Sequence, residues 1–141
     1  MSIELHAFIR GPDIPDRASW QVTINSLGFP VELHPGLDPL TSRGFTPCTI
    51  AGRASGFEIY LDTAESLIAA YPHKKGELSR YDKVISFRWG GHMDELACSF
   101  ASAAALAAGH GATVYYPDDD LIYQADVLIR QAREVVDSLA A

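Results

Sequence analysis

The sequence predicts an α+β fold, with a mixed β-sheet of six or seven strands and about four helices packed on it. Three observations support this prediction. Several short runs alternate apolar and polar residues as strands do, other segments carry apolar residues at helical spacing, and glycine and proline separate them. Because strand, helix and strand follow one another in both halves, we expect two β-α-β units plus a β-hairpin. The length of 141 residues fits a single domain, 1-141.

The first β-α-β unit occupies the start of the chain. Residues 3–10 alternate apolar and polar side chains, which predicts a strand, and glycine and proline end it. A helix over residues 15–27 follows, ended by Gly28, a residue type common just after helices. Residues 30–34, PVELH, predict the second strand, and the proline-rich residues 35–47 predict a loop.

The β-hairpin comes next. Residues 48–52 and 56–61 have the composition of strands and flank a predicted turn, RAS. The spacing of Asp62 and Glu65 is that of a capping box, which starts a short helix, and Pro72 stops that helix. The polar stretch after it is expected to be exposed.

The second β-α-β unit begins with the strand KVISFRW at 83–89. The alanine-rich residues 93–108 have no polar face beyond their first turn, so we expect a helix that is buried on all sides. Residues 112–117 predict a strand, and residues 121–123 a short last one. Residues 124–140 carry an unbroken apolar stripe at three- and four-residue spacing, which predicts an amphipathic helix.

Composition argues against several classes of protein. The net charge of −7, from 18 acidic and 11 basic residues, disfavours nucleic-acid binding, which needs a basic surface, but permits a basic protein partner. No stretch has the roughly 18 apolar residues of a membrane span, and the start has no signal-peptide pattern. We therefore expect no membrane association and a cytoplasmic protein. Cys48 and Cys98 fit no zinc spacing and are expected to be buried free thiols.

The stretch ISFRWGGHMDEL, residues 85–96, raises the question whether its glycine turn carries chemistry. Glycines between a strand and a helix can bind phosphate, but neither GxGxxG nor GxxxxGK[ST] is present. Asp94 and Glu95 occupy the place that a phosphate would need, and they complement the helix dipole instead. We interpret the stretch as a structural corner, in which the role of His92 stays open.

An alternative is a small enzyme, or a metal- or ligand-binding protein, with its site at the 90–95 and 117–120 loops. His92, Asp94 and Glu95 would meet the aspartates of the second loop if both loops lie at the same edge of the sheet, which a β-α-β unit allows. Three acidic residues in a turn are also ordinary turn chemistry. No metal and no other cofactor is therefore predicted.

No catalytic residue is predicted either. The sequence has no GxSxG motif and no histidine in a triad signature. Cys98 lies on the apolar helix, where burial makes a thiol inert. His6 and His34 are assigned to the outer faces of strands. A binding protein therefore explains the sequence better than an enzyme does.

The predicted binding surface is the acidic turn with its aromatic neighbours. It consists of Tyr116, Asp118, Asp119, Asp120 and Tyr123. Tyrosine supplies contact area at interfaces, and carboxylates attract a basic partner. A homodimer through the small-residue helix 93–108 is a further alternative.

Five short motifs carry a resemblance. They are GFPVEL at 28–33, GFTPC at 44–48, GFEIYL at 56–61, SFRWGG at 86–91 and GATVYYP at 111–117. Together they resemble a family of small bacterial proteins with no established activity, so the resemblance implies no catalytic residues. In size, acidity and lack of active-site motifs the chain is also similar to immunity proteins of bacterial toxin systems. That similarity implies a protein-binding role of the immunity or antitoxin type.

Overall fold

The computed structural model describes residues 2–139, which form one seven-stranded β-sheet with helices on both faces. The strands are β1 (Ile3–Ile9), β2 (Val31–Leu33), β3 (Gly44–Ile50), β4 (Arg53–Thr63), β5 (Lys83–Trp89), β6 (Thr113–Tyr116) and β7 (Leu121–Tyr123). The helices are α1 (Arg17–Ser26), α2 (Ala64–Ile68), α3 (Lys75–Leu78), α4 (Met93–His110) and α5 (Ala125–Leu139). None of these helices is both long enough and apolar enough to cross a membrane.

The strands are arranged in the order β2-β3-β4-β5-β1-β6-β7. The α+β class and the number of strands are as predicted. The sheet is not mixed, however, because every neighbouring pair among the described strands is antiparallel. In each β-α-β unit the two strands are parallel but not adjacent, since β5 and β6 lie on either side of β1, and three strands separate β1 from β2.

Several element boundaries differ from the prediction. β3 begins at Gly44, inside the predicted loop, because pairing along β4 outweighs the proline signal. Its hairpin turn is Ala51-Gly52 rather than RAS, and both residues have positive φ, 50° and 78°, as a two-residue hairpin turn of type I′ requires. α3 is a fifth helix within the stretch expected to be polar and exposed. The predicted end of α5 at residue 140 lies outside the described residues.

α1, α4 and α5 cover one face of the sheet, which we call the helix face. α4 is enclosed as predicted, since every residue from 97 to 106 is buried. It approaches α1 so closely that a Cβ atom on Gly109 would lie 2.7 Å from Thr23 Cγ2. Both cysteines are free and buried, as predicted. Its own chain thus surrounds the middle of α4, whereas Met93 at its start and Ala108 and Gly109 near its end are exposed.

The opposite face, which we call the outer face, is only partly covered. α2 and α3 pack on it over a second apolar cluster. The buried members of this cluster are Phe8, Ala64, Ile68, Leu78, Tyr81, Val84 and Tyr115. The remainder of the outer face carries polar side chains of β1, β4 and β5, and it is there that a cleft opens.

Candidate functional site

The acidic turn lies between β6 and β7, at one end of the strand order. Asp118 and Asp119 are exposed, and neither forms a hydrogen bond or ion pair with another residue of the described chain. Asp120 differs, because its carboxylate accepts a hydrogen bond from the Tyr115 hydroxyl at 2.6 Å and lies 2.8 Å from His73 Nε2. These two hydrogen bonds lower the pKa of Asp120. The carboxylate of Asp120 is therefore held by hydrogen bonds within the protein, whereas the carboxylates of Asp118 and Asp119 are available to a partner.

Tyr116 and Tyr123 do not extend the acidic surface. Their rings are stacked with centroids 6.2 Å apart, and both rings contact Phe100 of α4 on the helix face. Tyr123 is only 6% exposed, and burial, together with nearby aspartates, raises the pKa of Tyr116 to about 12. Tyr123 thus has little surface left for a partner and Tyr116 is half-buried, so the predicted five-residue surface is divided between core and solvent.

Leu121 is the apolar residue that accompanies the exposed carboxylates. It begins β7, which is the last strand in the order and, among the strands of residues 2–139, pairs only with β6. Its side chain is 49% exposed. We refer to Asp118, Asp119 and Leu121 as the acidic edge.

The corner at residues 90–95 uses its acidic residues to begin α4. Glu95 Oε1 accepts a hydrogen bond from the N–H of Gly90 at 3.2 Å, and Asp94 Oδ1 accepts one from the N–H of Glu95 at 3.0 Å. Gly91 has a φ of 103°, a conformation that favours glycine. His92 is exposed and precedes the helix, but its side chain makes no capping hydrogen bond.

The two loops of the alternative site lie at the same end of the strands. They follow β5 and β6, which run in the same direction on either side of β1. Over residues 2–139, however, no three His, Cys, Asp or Glu side chains come close enough together to hold a metal ion. His92, Asp94 and Glu95 therefore do not form a ligand set with the aspartates of residues 117–120.

A different polar site, a cleft of about 260 Å³, opens on the uncovered part of the outer face. Strand register creates it: His6 of β1 is opposite Ser86 of β5, which is opposite Tyr60 of β4. Two residues along, Glu4 is opposite Arg88, and the alternation of side chains puts both rows on one face. We call this site the outer-face cleft. It is lined by Glu4, His6, Tyr60, Asp62, Leu67, Ser86 and Arg88.

His6 forms part of the floor of this cleft. Its side chain is 1% exposed, and its Nδ1 atom lies 2.7 Å from Ser86 Oγ. Its Nε2 atom is buried without a hydrogen-bond partner in the described chain, and Glu4 Oε1, at 3.8 Å, is beyond hydrogen-bonding distance. Burial, assisted by the positive charge of Arg88, lowers the pKa of His6 to about 4. The ring is therefore neutral at pH 7.

Charged groups of both signs surround this neutral floor. Arg88 Nη2 lies 3.6 Å from Glu4 Oε1, and Arg43 Nη1 lies 3.4 Å from Asp62 Oδ1. All four side chains are at least 36% exposed, so each pair contributes little to stability. The cleft therefore combines a buried, uncharged floor with a solvated rim whose side chains can move to meet a ligand.

The sequence signals for the outer-face cleft are weak. His6 is the one polar residue in an otherwise apolar run from Leu5 to Ile9, and Ser86 occupies a similar place in β5. That pattern identifies each as unusual but does not bring them together, since 80 positions separate the two residues. Only the register of β1 on β5 does so, and this register depends on the whole sheet.

Comparisons with known proteins leave the family open. No protein-family model matches the chain, no curated protein is significantly similar to it, and no solved structure matches it. The resemblance to small bacterial proteins, and the similarity to immunity proteins, stay predictions. Function is therefore inferred from the acidic edge and the outer-face cleft themselves.

Proposed function

We propose that this protein binds a basic protein partner through its acidic edge. One observation carries the proposal: Asp118 and Asp119 are exposed carboxylates that have no cation within ion-pair distance in the described chain, and Leu121, which follows closely in the sequence, is also exposed. Lysine or arginine side chains of a partner would supply the complementary charge, and Leu121 would supply an apolar contact.

The position of the acidic edge at the end of the sheet adds to this. Within the described part of the chain, β7 has a strand neighbour on one side only, and such an edge strand can pair with an extended segment of another chain. Because β7 has only three residues, such pairing would be short. Charge would therefore supply most of the specificity.

The charge of the whole chain supports the same kind of partner. A net charge of −7 attracts a basic protein over a distance and accelerates its association. An immunity or antitoxin-like role, with a basic toxin as the partner, is the concrete form of the proposal. It rests on the similarity in size, charge and motif content to immunity proteins.

The test begins with capture of partners from a lysate of the source cells by tagged wild-type protein, with identification by mass spectrometry. The affinity of each purified candidate is then measured at two salt concentrations for wild type and for Asp118→Asn/Asp119→Asn. We expect the double variant to bind about tenfold or more weakly and with a smaller salt dependence. Asp120 is left unchanged because Tyr115 and His73 hold it.

Glu32→Gln/Glu134→Gln is the matched control, because it removes the same charge from two exposed positions elsewhere on the surface. The control should keep the wild-type affinity. If both double variants lose affinity equally, net charge rather than the acidic edge determines binding. If neither loses affinity, the acidic edge is not the interface.

A second candidate function is binding of a small molecule at the outer-face cleft. The observation that favours it is His6 Nε2, a buried nitrogen without a partner in the described chain, on a residue that lines a cleft. Buried polar atoms rarely stay unpaired. Acid–base catalysis is disfavoured, since an imidazole with a pKa of about 4 is a weak base at neutral pH. This site stands beside the alternative site at the 90–95 and 117–120 loops, where the described residues form no group that could hold a metal ion.

A screen of small polar molecules by NMR tests this second candidate. Ligands of the cleft should shift the backbone amide signals of Ser86 and Arg88. Ser86→Ala should weaken the affinity for these ligands about five- to tenfold, because it removes a hydroxyl from the floor of the cleft. Ser102→Ala is the matched control, because this buried hydroxyl lies on α4, away from the cleft. Ligands that bind both variants equally would rule the cleft out.

A further inference from the structure

A second cavity, of about 420 Å³, lies at the opposite end of the sheet from the acidic edge. It is bounded by α5, by the segment before β2 and by the β3–β4 turn. We call it the α5 cavity. Its volume falls in the range of roughly 300–1,000 Å³ that is typical of small-molecule sites. Its apolar wall is formed by Phe29, Pro30, Ile50, Val136 and Leu139.

Two arginines reach the α5 cavity. Arg133 is held in place, because its Nη2 atom donates a hydrogen bond to the carbonyl of Leu27 at 2.7 Å and its guanidinium lies 5.2 Å from the centre of the Phe29 ring. Arg53 begins β4, is exposed, and forms no ion pair with any other residue between 2 and 139. Asp137 is the one carboxylate among the lining residues that the structure describes. The cavity is thus locally positive on a chain whose net charge is −7.

The rim of the α5 cavity is fixed by the backbone. The N–H of Ala51 donates a hydrogen bond to the carbonyl of Pro30 at 2.8 Å, which ties the β3–β4 turn to the segment before β2. Ala51 has a φ of 50°, a left-handed conformation that costs a residue with a side chain about 1–2 kcal/mol. The two-residue hairpin turn requires this conformation, so the β3–β4 hairpin and its hydrogen bond to Pro30 together set the shape of the rim.

We propose that the α5 cavity binds a small organic anion with an apolar body, that is, a carboxylate or phosphate carried on an aliphatic or aromatic group. The apolar body would contact Phe29, Val136 and Leu139. The anionic group would pair with Arg53 and with the guanidinium donors of Arg133 that do not bind Leu27. This site is independent of the acidic edge, so either proposal can fail without the other.

Titration of the full chain with octanoate, and in parallel with its uncharged counterpart octanamide, tests the proposal by NMR. Octanoate should shift the amide signals of Gly28 and Ala51 and should bind about tenfold more tightly than octanamide, as one added charge pair implies. Arg53→Gln should remove most of this difference while leaving octanamide binding unchanged. Arg130→Gln, an exposed arginine of α5 outside the cavity, is the matched control and should behave as wild type.

Anionic lipids carry the same chemistry, so co-sedimentation with phosphatidylglycerol vesicles and with neutral phosphatidylcholine vesicles forms the second arm. Binding to anionic vesicles alone, lost in Arg53→Gln and kept in Arg130→Gln, would identify a lipid as the source of the anion. Binding of free octanoate with the same dependence on Arg53 would identify a soluble acid. Equal affinity of wild type and Arg53→Gln in both arms, or no binding in either arm, would overturn the proposal.

Discussion

The ring of His6 lies beside Tyr71, with ring centres 6.1 Å apart, and hydrogen-bonds to Ser86. A proton added to this ring would be buried near the positive charge of Arg88. Glu4, the nearest carboxylate, is at 3.8 Å and is 36% exposed, so it offers little compensation. The folded protein therefore keeps His6 neutral to about pH 4, whereas in the unfolded chain a histidine titrates near pH 6.5.

This difference makes stability depend on pH in a definite direction. Because the folded-state pKa is lowered, the unfolded chain binds the extra proton first, and stability is lost as pH falls from about 6.5 towards 4. Between pH 7.5 and pH 5 we expect His6 alone to lower the free energy of unfolding by about 2 kcal/mol. Urea denaturation of wild type and His6→Asn at both pH values measures this contribution.

His6→Asn should lose about that much of the pH dependence, whatever its stability at pH 7.5. His92→Asn is the control, since it removes an exposed histidine whose side chain makes no capping hydrogen bond. An equal dependence on pH in wild type and His6→Asn would mean that water reaches the ring of His6 in the folded protein. The floor of the outer-face cleft would then be hydrated rather than buried.

At the scale of elements, the contact between α1 and α4 is set by small residues. Gly109 is opposite Thr23, whose hydroxyl oxygen lies 2.9 Å from His110 Nε2. On the same side of α4, Trp20 of α1 donates a hydrogen bond to the carbonyl of Ser102 at 3.0 Å. The alanine-rich composition of α4 is thus the reason that α1 can lie close enough for these hydrogen bonds to form.

Gly109→Ala tests how closely the two helices fit. The added Cβ would lie 2.7 Å from Thr23 Cγ2, so either the Thr23 side chain must rotate, which disturbs its hydrogen bond with His110, or the helices must move apart. We expect the free energy of unfolding to fall by about 1–2 kcal/mol, although alanine is the better helix former. Thermal and urea denaturation measure the change.

Two further variants separate the clash with Thr23 from the effect of replacing a helical glycine by alanine. Thr23→Ser removes the obstructing methyl group and keeps the hydroxyl, so it should recover most of the loss in the double variant with Gly109→Ala. Gly76→Ala in α3 has no atom within 4 Å of the added Cβ and should be neutral or slightly stabilising. A Gly109→Ala protein as stable as wild type would show that the α1–α4 contact can adjust freely.

At the scale of the whole molecule, the sequence predicts what is local and misses what is not. The alternation in β1, the continuous apolar composition of α4 and the periodicity of α5 come from neighbouring residues, so the α+β class and the order of the main elements could be predicted. The start of β3 and the all-antiparallel strand order could not, because they depend on pairing between distant segments.

The same limit applies to the candidate sites. Asp118 and Asp119 stand out in the sequence and are exposed in the structure. Tyr123, chosen for its residue type, turns inward, because the register of β7 on β6 decides which face its side chain takes. His6 and Ser86 meet only through the sheet, and the two arginines of the α5 cavity come from different halves of the chain.

The position of β1 between β5 and β6 also determines when this strand can pair during synthesis. Residues 3–9 leave the ribosome long before residues 83–89 and 113–116, with which they pair. The largely apolar β1 segment therefore stays unpaired on both sides until β5 and β6 have been synthesised, whereas the β3–β4 hairpin can form as soon as it emerges. Such unpaired strands are prone to associate with other chains. We expect the nascent protein to depend on chaperones for this interval and to fold slowly once released, as chains with many long-range pairings do.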